Sequence, residues 1–303
     1  MLSILIPIYN YNCVKLVKEL HAQAFDAGIN FEIRCIDDAS SLYKEENRQI
    51  GTLDHCSYTE LPENIGRSKI RNLLANNAIY DHLLFLDCDV EVFSADFIRS
   101  YLPYLNDFEI ISGKRIYTKI PPTDKQYYLH WFYGTYRETK SSNFMSNNFV
   151  IKKSLLAKIK FNENITRYGH EDTLFQIQLE EIGIDIHFMN NPVVHIGLDT
   201  ADAFIEKNNE GIKNLLYLSE QNIIPNKYLY RFRLLKKYKD VSRYKLNKVL
   251  ALLFPVFKNA FIRNLKGNYP LLFFFDMYKL MFISYSARHS VLDTESQKDT
   301  SHY

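Results

Sequence analysis

"LLFLDCDVEVF", residues 83–93, puts two carboxylates one residue apart at the end of an apolar run. The run has the length and composition of a buried strand. An ionised carboxylate is costly to bury without a partner, so Asp87 and Asp89 need a reason to stand there. Taken alone, D-x-D is more often a polar turn, because Asp caps turns and short motifs recur freely. The flanking segments decide between the two readings.

Upstream, "LSILIPIY" (2–9) is a short apolar run bounded by Asn10 and Asn12, suited to a strand buried on both faces. Leu16, Val17, Leu20, Ala24 and Ala27 follow at helical spacing, and Gly28 closes that helix. "FEIRCI" predicts the next strand, ending at Asp37-Asp38. "GRSKIRNLLANNAIY" predicts a helix with Ile70, Leu73, Leu74 and Ile79 turned inward. Strand, helix, strand, helix, strand implies an α/β fold with a Rossmann-like, mostly parallel sheet flanked by helices. Ligands of such sheets bind outside the carboxyl ends of the strands. Each of the three strands delivers polar groups there: Tyr9-Asn10, Asp37-Asp38 and Asp87-Asp89. Downstream, "EIISG", "SNNFVIKK", "IDIHFMN" and "PVVHIG" read as strands. "EDTLFQIQLEEIG" reads as a helix with Leu174, Phe175, Leu179 and Ile182 on one side.

The chain has 303 residues, 47% hydrophobic and 24% charged, with 22 Tyr and 21 Phe. That is a globular balance rich in aromatics. Cys13, Cys35, Cys56 and Cys88 form no C-x-x-C pair, which argues against zinc and thioredoxin chemistry. The apolar N-terminus lacks a basic n-region and a small-residue cleavage site. These features suggest a reducing, cytoplasmic protein.

The character changes after about residue 205. Between Asn226 and Gly267 stand twelve basic residues and a single acid, Asp240, giving this segment +11 in a chain of net +2. Apolar residues interleave with the charges, but no run is long enough to span a bilayer. Residues 206–291 therefore read as a basic, aromatic-rich helical extension. Two readings stand side by side: peripheral attachment to an anionic membrane surface, or a helical cap packed through its apolar stripe. Nucleic acid is the weaker third option. The polar tail 292–303 is expected to be disordered.

"SILIPIYNY", "EIRCIDDAS", "ENIGRSKIRN", "LLFLDCDVEVF", "NNFVIKKSLL", "YGHEDTLFQIQLEEIG" and "PVVHIG" occur in the order found in family 2 glycosyltransferases. The resemblance covers roughly residues 2–200, and the second half is most similar to the chondroitin-polymerase and galactosyltransferase-type branch. It implies a GT-A fold in a catalytic domain at 1–205. The implied activity is inverting transfer of a hexosyl or N-acetylhexosaminyl unit from a nucleotide sugar, a UDP-sugar, to a glycan or lipid-linked acceptor. Surface polysaccharide biosynthesis is the implied setting. No Q-x-x-R-W motif or membrane span of the processive relatives is present, which favours single-sugar addition, with the protein on the inner face of the membrane if the tail attaches it.

The resemblance also distributes roles. A diphosphate leaving group needs a divalent cation, Mn2+ or Mg2+, on hard oxygen ligands and an imidazole. The matching ligands are Asp89 and His195, while Asp87 reaches the ribose or the metal's surroundings. A lone His in an apolar strand is more often a packed core residue, and His187 is expected to be that. Asp38 matches the acceptor of uracil N3–H, Asp37 holds the loop, and Pro7 and Tyr9 border the base. Asn64 and Arg71, in "ENIGRSKIRN", join the nucleotide-binding set, the other reading of Arg71 being a surface ion pair. Inversion requires a general base for the acceptor hydroxyl. The E-D pair supplies Asp172 as that base and Glu171 as a contact to donor or acceptor, although acids at a helix start also favour its dipole. The Trp that the closest galactosyltransferase pattern carries near Tyr168 is missing here. Alternatives are a nucleotidyltransferase, disfavoured because "PIYNYNC" has no glycine for a phosphate loop, and a non-catalytic sugar-nucleotide-binding or membrane-surface protein.

Overall fold

The computed structural model of the chain describes residues 1–140, 143–165 and 167–299, with side chains through residue 289. It divides into two compact units. The first comprises residues 1–120, 134–166 and 171–197, and the second residues 121–133, 167–170 and 198–303.

The first unit begins with β1 (Leu2–Ile8), α1 (Val14–Asp26), β2 (Phe31–Asp37), α2 (Lys44–Asn47), β3 (Cys56–Glu60), α3 (Arg67–Asn77) and β4 (His82–Leu86). The short β5 (Val90–Glu91) and α4 (Phe97–Tyr101) follow, then β6 (Ile110–Ser112) and β7 (Arg115–Ile116). Helix α5 (Tyr128–Tyr133) belongs to the second unit. The chain returns through β8 (Asn148–Lys152), α6 (Lys153–Lys158), α7 (Glu171–Glu181), β9 (His187–Phe188) and β10 (Val193–His195).

Seven strands form the main sheet in the order β3-β2-β1-β4-β8-β6-β9. Strands β3, β2, β1 and β4 are mutually parallel, β8 runs antiparallel to both β4 and β6, and β9 is parallel to β6. The fold is thus α/β with a mostly parallel central sheet flanked by helices, as the sequence predicts. Apolar side chains of β1 pack on both faces. Ile4, Ile6 and Ile8 join Leu16, Val17 and Leu20 of α1 in one cluster, while Leu5 joins Ile70 and Leu74 of α3 in another.

Three local expectations are corrected. Strand β3 lies in a stretch whose pattern predicts none; it is an edge strand, CSYTE, whose residues are mostly half-buried, so it carries no apolar run. Ile79 is 68% exposed, because α3 ends at Asn77 and the chain leaves the helix phase. Ile182, beyond the end of α7, is likewise exposed.

A second sheet decides the geometry of the site. Strand β5 follows the D-x-D turn directly and pairs antiparallel with β10, His195 standing opposite Val90. Strand β7 adds in parallel on the other side of β10. Each of these strands has only two or three residues, too short for periodicity to reveal.

The second unit is mainly helical, with α8 (Ala201–Glu220), α9 (Arg233–Arg243), α10 (Leu246–Leu265) and α11 (Leu272–Asp299). Its core gathers Leu129, Phe204, Phe254, Phe275, Tyr278 and Met281. Residues 167–170 belong to it: Asn214 donates to the Gly169 carbonyl at 2.7 Å, and His170 Nε2 lies 3.1 Å from the Gly211 carbonyl. The side chains of 290–299 and the whole of 300–303 lie outside the described residues, and the backbone of 292–299, expected to be disordered, continues α11 as helix.

Candidate active site

Strand β4 stops at Leu86, and the Asp87 amide donates to the Asn147 carbonyl at 3.2 Å. The turn then carries Asp89 beside β10. The amides of Ile196 and Gly197 donate to the Asp89 carbonyl at 3.0 and 3.3 Å. His195 Nδ1 lies 3.6 Å from Asp89 Oδ1. The ring of Tyr117 meets that imidazole edge-on, 5.4 Å between centroids. Tyr117 in turn donates to Glu138, which also pairs with Arg115 at 2.7 Å. His187 instead stacks on Phe108, 3.9 Å between ring centroids, and is half-buried on the edge strand β9.

The two carboxylates of the turn are driven apart electrostatically. Burial raises Asp87 above the usual carboxylate range, and Asp89 adds to this while Arg71 pulls the other way. Burial would raise Asp89 too, but the neighbouring His195 imidazole, with Arg115, outweighs it and holds Asp89 low.

Arg71 is not a surface ion pair. It is buried, with Nη2 3.1 Å from Asp87 Oδ1 and its guanidinium carbon 5.5 Å from the Phe161 ring centroid. Its neighbour Asn72 fixes that ring's backbone, exchanging hydrogen bonds with the Phe161 carbonyl and amide at 2.9 and 3.0 Å.

At the other strand ends, Asp37 accepts from the Ser40 amide at 2.7 Å and from the Tyr58 hydroxyl at 3.1 Å. Asp38 also holds a loop, its two oxygens accepting from the amides of Ile65 and Gly66 at 2.7 and 3.0 Å. Each carboxylate oxygen has a further lone pair for a ligand donor. Asn64 donates to the Asp38 carbonyl at 3.2 Å. Pro7 is half-buried at the end of β1, and Tyr9 is 56% exposed beside it.

The E-D pair opens α7. Glu171 pairs with Arg67 at 3.1 Å. Burial would raise its carboxyl, but Arg67 and Arg71 hold it below its ordinary value. Asp172 accepts from the Ser146 amide at 3.1 Å through Oδ2. Its Oδ1 is buried and has no hydrogen-bond partner. Burial, reinforced by the Glu171 charge, raises Asp172.

Among the described residues, buried side-chain polar atoms without a partner concentrate here. They include Arg71 Nε and Nη1, Asn147 Nδ2 and Asp172 Oδ1. Such atoms cost about 1–3 kcal/mol each unless a ligand satisfies them. Asn147, Ser146 and Arg115 were missed in the sequence. The "SNN" triplet, three small polar residues opening an apolar strand, is the only local signal for the first two.

The donor set of Asp89 and His195 suits a divalent ion of the Mn2+ or Mg2+ kind. Among the described residues no group of three or more His, Cys, Asp or Glu gathers into a metal site. An ion here would therefore take two ligands from the protein and the rest from phosphate oxygens or water, which is how Mg2+-like ions bind at nucleotide sites.

This α/β fold brings polar groups together at the carboxyl ends of its strands, where such sheets bind ligands. The chain belongs to glycosyl transferase family 2, which residues 3–166 match. An uncharacterized glycosyltransferase of Rickettsia felis is 30% identical over 146 residues, covering 48% of this chain; the match spans 22% of that relative's length. Among solved structures, the mannosyltransferase PcManGT from Pyrobaculum calidifontis, in complex with GDP-Man and Mn2+, superposes with a TM-score of 0.57. It is 13% identical, over 96% of this chain and 87% of that one. TarS 1–349 of S. aureus, in complex with UDP-GlcNAc, gives 0.49 at 15% identity, over 95% and 92%. The likeness to PcManGT establishes the GT-A fold. Among the described residues no helix is long and apolar enough to cross a membrane.

Proposed function

We propose that the chain moves a single sugar from a UDP-sugar to a hydroxyl of a glycan or lipid-linked acceptor, with inversion at the anomeric carbon. The observation that carries this reading is Asp172. A half-buried carboxylate whose Oδ1 is buried and unpartnered, with a raised proton affinity, is suited to act as a general base, whose proton affinity should approach the working pH. Asp172 takes the acceptor's proton as its oxygen bonds to the anomeric carbon. The bond from that carbon to the diphosphate breaks, and UDP leaves with the electron pair.

The other residues prepare this step. Arg71 and Asn147 turn unsatisfied N–H groups toward a donor's oxygens. Asp38 accepts from the base, which Pro7 and Tyr9 border, while Asn64 secures the loop. Glu171, held ionised by Arg67, orients a sugar hydroxyl. Asp87, tied to Arg71, receives the ribose. Asp89 and His195 would hold a divalent ion; PcManGT, which shares the fold, is in complex with Mn2+, which supports a divalent ion but names no ligand. When bound, the ion neutralises charge developing on the diphosphate. A place in surface polysaccharide assembly, in the cytoplasm and against the inner membrane face, completes the proposal.

The test is a screen of UDP- and GDP-sugars for nucleotide release and sugar transfer, with Mn2+, with Mg2+ and with chelator. Metal-dependent release from one UDP-sugar supports the reading. Release confined to GDP-sugars overturns the uracil reading of Asp38, and no release with any donor overturns the activity.

A further inference from the structure

We propose that the outward face of α10 rests on an anionic lipid surface. The helix buries Ala251, Phe254 and Leu265, of which Phe254 and Leu265 join Phe275 and Tyr278 of α11 in one cluster. Away from that side, at spacings of three and four residues, it presents Val249, Leu252, Leu253, Val256 and Phe257, all exposed, with Leu252 at 60% and Val256 at 71%. A helix facing its own core should be polar on the far side; one apolar all round belongs in a larger core or in lipid. Scattered exposed apolar residues need no explanation, but a contiguous stripe marks a contact surface.

The charges select the occupant. Helix α10 contains no acidic residue. Lys245 and Lys248 at its start and Lys258 farther along are exposed, and none makes an ion pair among the described residues. Exposed Arg233, Lys236 and Lys237 of α9 add to the positive field. A second copy of the chain would bring two +11 segments together, and like charges across an interface oppose association. An anionic bilayer attracts them and accepts the apolar stripe. Tyr244 and Tyr269, exposed at the two ends of the helix, are suited to the headgroup level.

Co-sedimentation of the full chain with phosphatidylcholine vesicles, with and without phosphatidylglycerol, tests this without reference to donor chemistry. Binding is expected only with phosphatidylglycerol, and should weaken in high salt. Each charge removed by Lys245→Glu, Lys248→Glu or Lys258→Glu should cost about fivefold or more. The double variant Leu252→Glu and Val256→Glu should bind about tenfold less tightly or worse, with an unchanged melting temperature because both positions are exposed. Equal binding with and without phosphatidylglycerol, or none with either, overturns the proposal. So does a large loss of melting temperature in the double variant, which would place the stripe in the core. Self-association abolished by the double variant, without vesicle binding, assigns the face to a second copy instead.

Discussion

Glu171 and Asp172 are adjacent in the chain yet held in opposite protonation tendencies. Arg67, 3.1 Å from Glu171, lowers one carboxyl. Burial and the Glu171 charge raise the other, whose Oδ1 has no partner. Two neighbouring carboxylates pushed apart in this way divide into a fixed charge and a proton acceptor.

The division makes Asp172 the base to remove first. Asp172→Asn should lower transfer by about 10²- to 10⁴-fold, leaving UDP binding close to wild type. The acid limb of wild-type kcat/KM should lie above the ordinary carboxylate range, because the raised group must ionise to act. Glu171→Gln should retain that limb. A larger loss in Glu171→Gln, with near-normal Asp172→Asn, would reverse the two roles.

The same substitution should stabilise the protein at neutral pH. A folded-state carboxyl raised above its unfolded value favours folding at low pH, and that contribution is lost as pH rises through the folded value. Asn carries no such penalty. Thermal melts of Asp172→Asn should therefore exceed wild type at neutral pH and converge with it toward the ordinary Asp range. An equal difference at both ends would refute the linkage.

Gly197 guards the position of Asp89. A Cβ at residue 197 would lie 2.5 Å from Asp89 Oδ2, so Gly197→Ala must displace that carboxylate. Displacements of this size cost about 10²-fold in rate. Transfer and metal-dependent UDP binding should both fall, with circular dichroism unchanged. Wild-type metal dependence would dissociate Asp89 from the ion.

Asp89→Ala and His195→Ala should each weaken metal-dependent UDP binding, the former more severely. Calorimetric titration with Mn2+ and UDP together reads this directly. Two variants with unaltered titrations would remove both residues from the ion site.

Asn147→Ala removes a buried donor that has no protein partner. The fold should hold or gain slightly, since the cost of leaving that group unsatisfied disappears. Donor KM should rise about tenfold, one hydrogen bond's worth. Destabilisation with unchanged KM would make Asn147 a structural residue.

The apolar runs of β1 and β4, and the alternation of Phe31, Ile33 and Cys35 in β2, each ending in polar residues, were legible because buried strands demand such patterns. Asp87 and Asp89 stood out because carboxylates are costly where a strand delivers them inward, whereas the E-D pair was singled out through the family resemblance alone. The edge strand β3 was not legible, because its half-buried residues carry no such pattern. Tertiary structure alone decided what these groups face. The pairing of two-residue β5 with β10 brings His195 to Asp89, and strands that short have no periodicity to read. The burial of Arg71 against Phe161, the orphaned amide of Asn147 and the opposed tendencies of Glu171 and Asp172 all arise from segments distant in sequence. Local pattern determines which residues are polar where the chain turns. Desolvation and charge partners, which set their chemistry, exist only after the chain has folded.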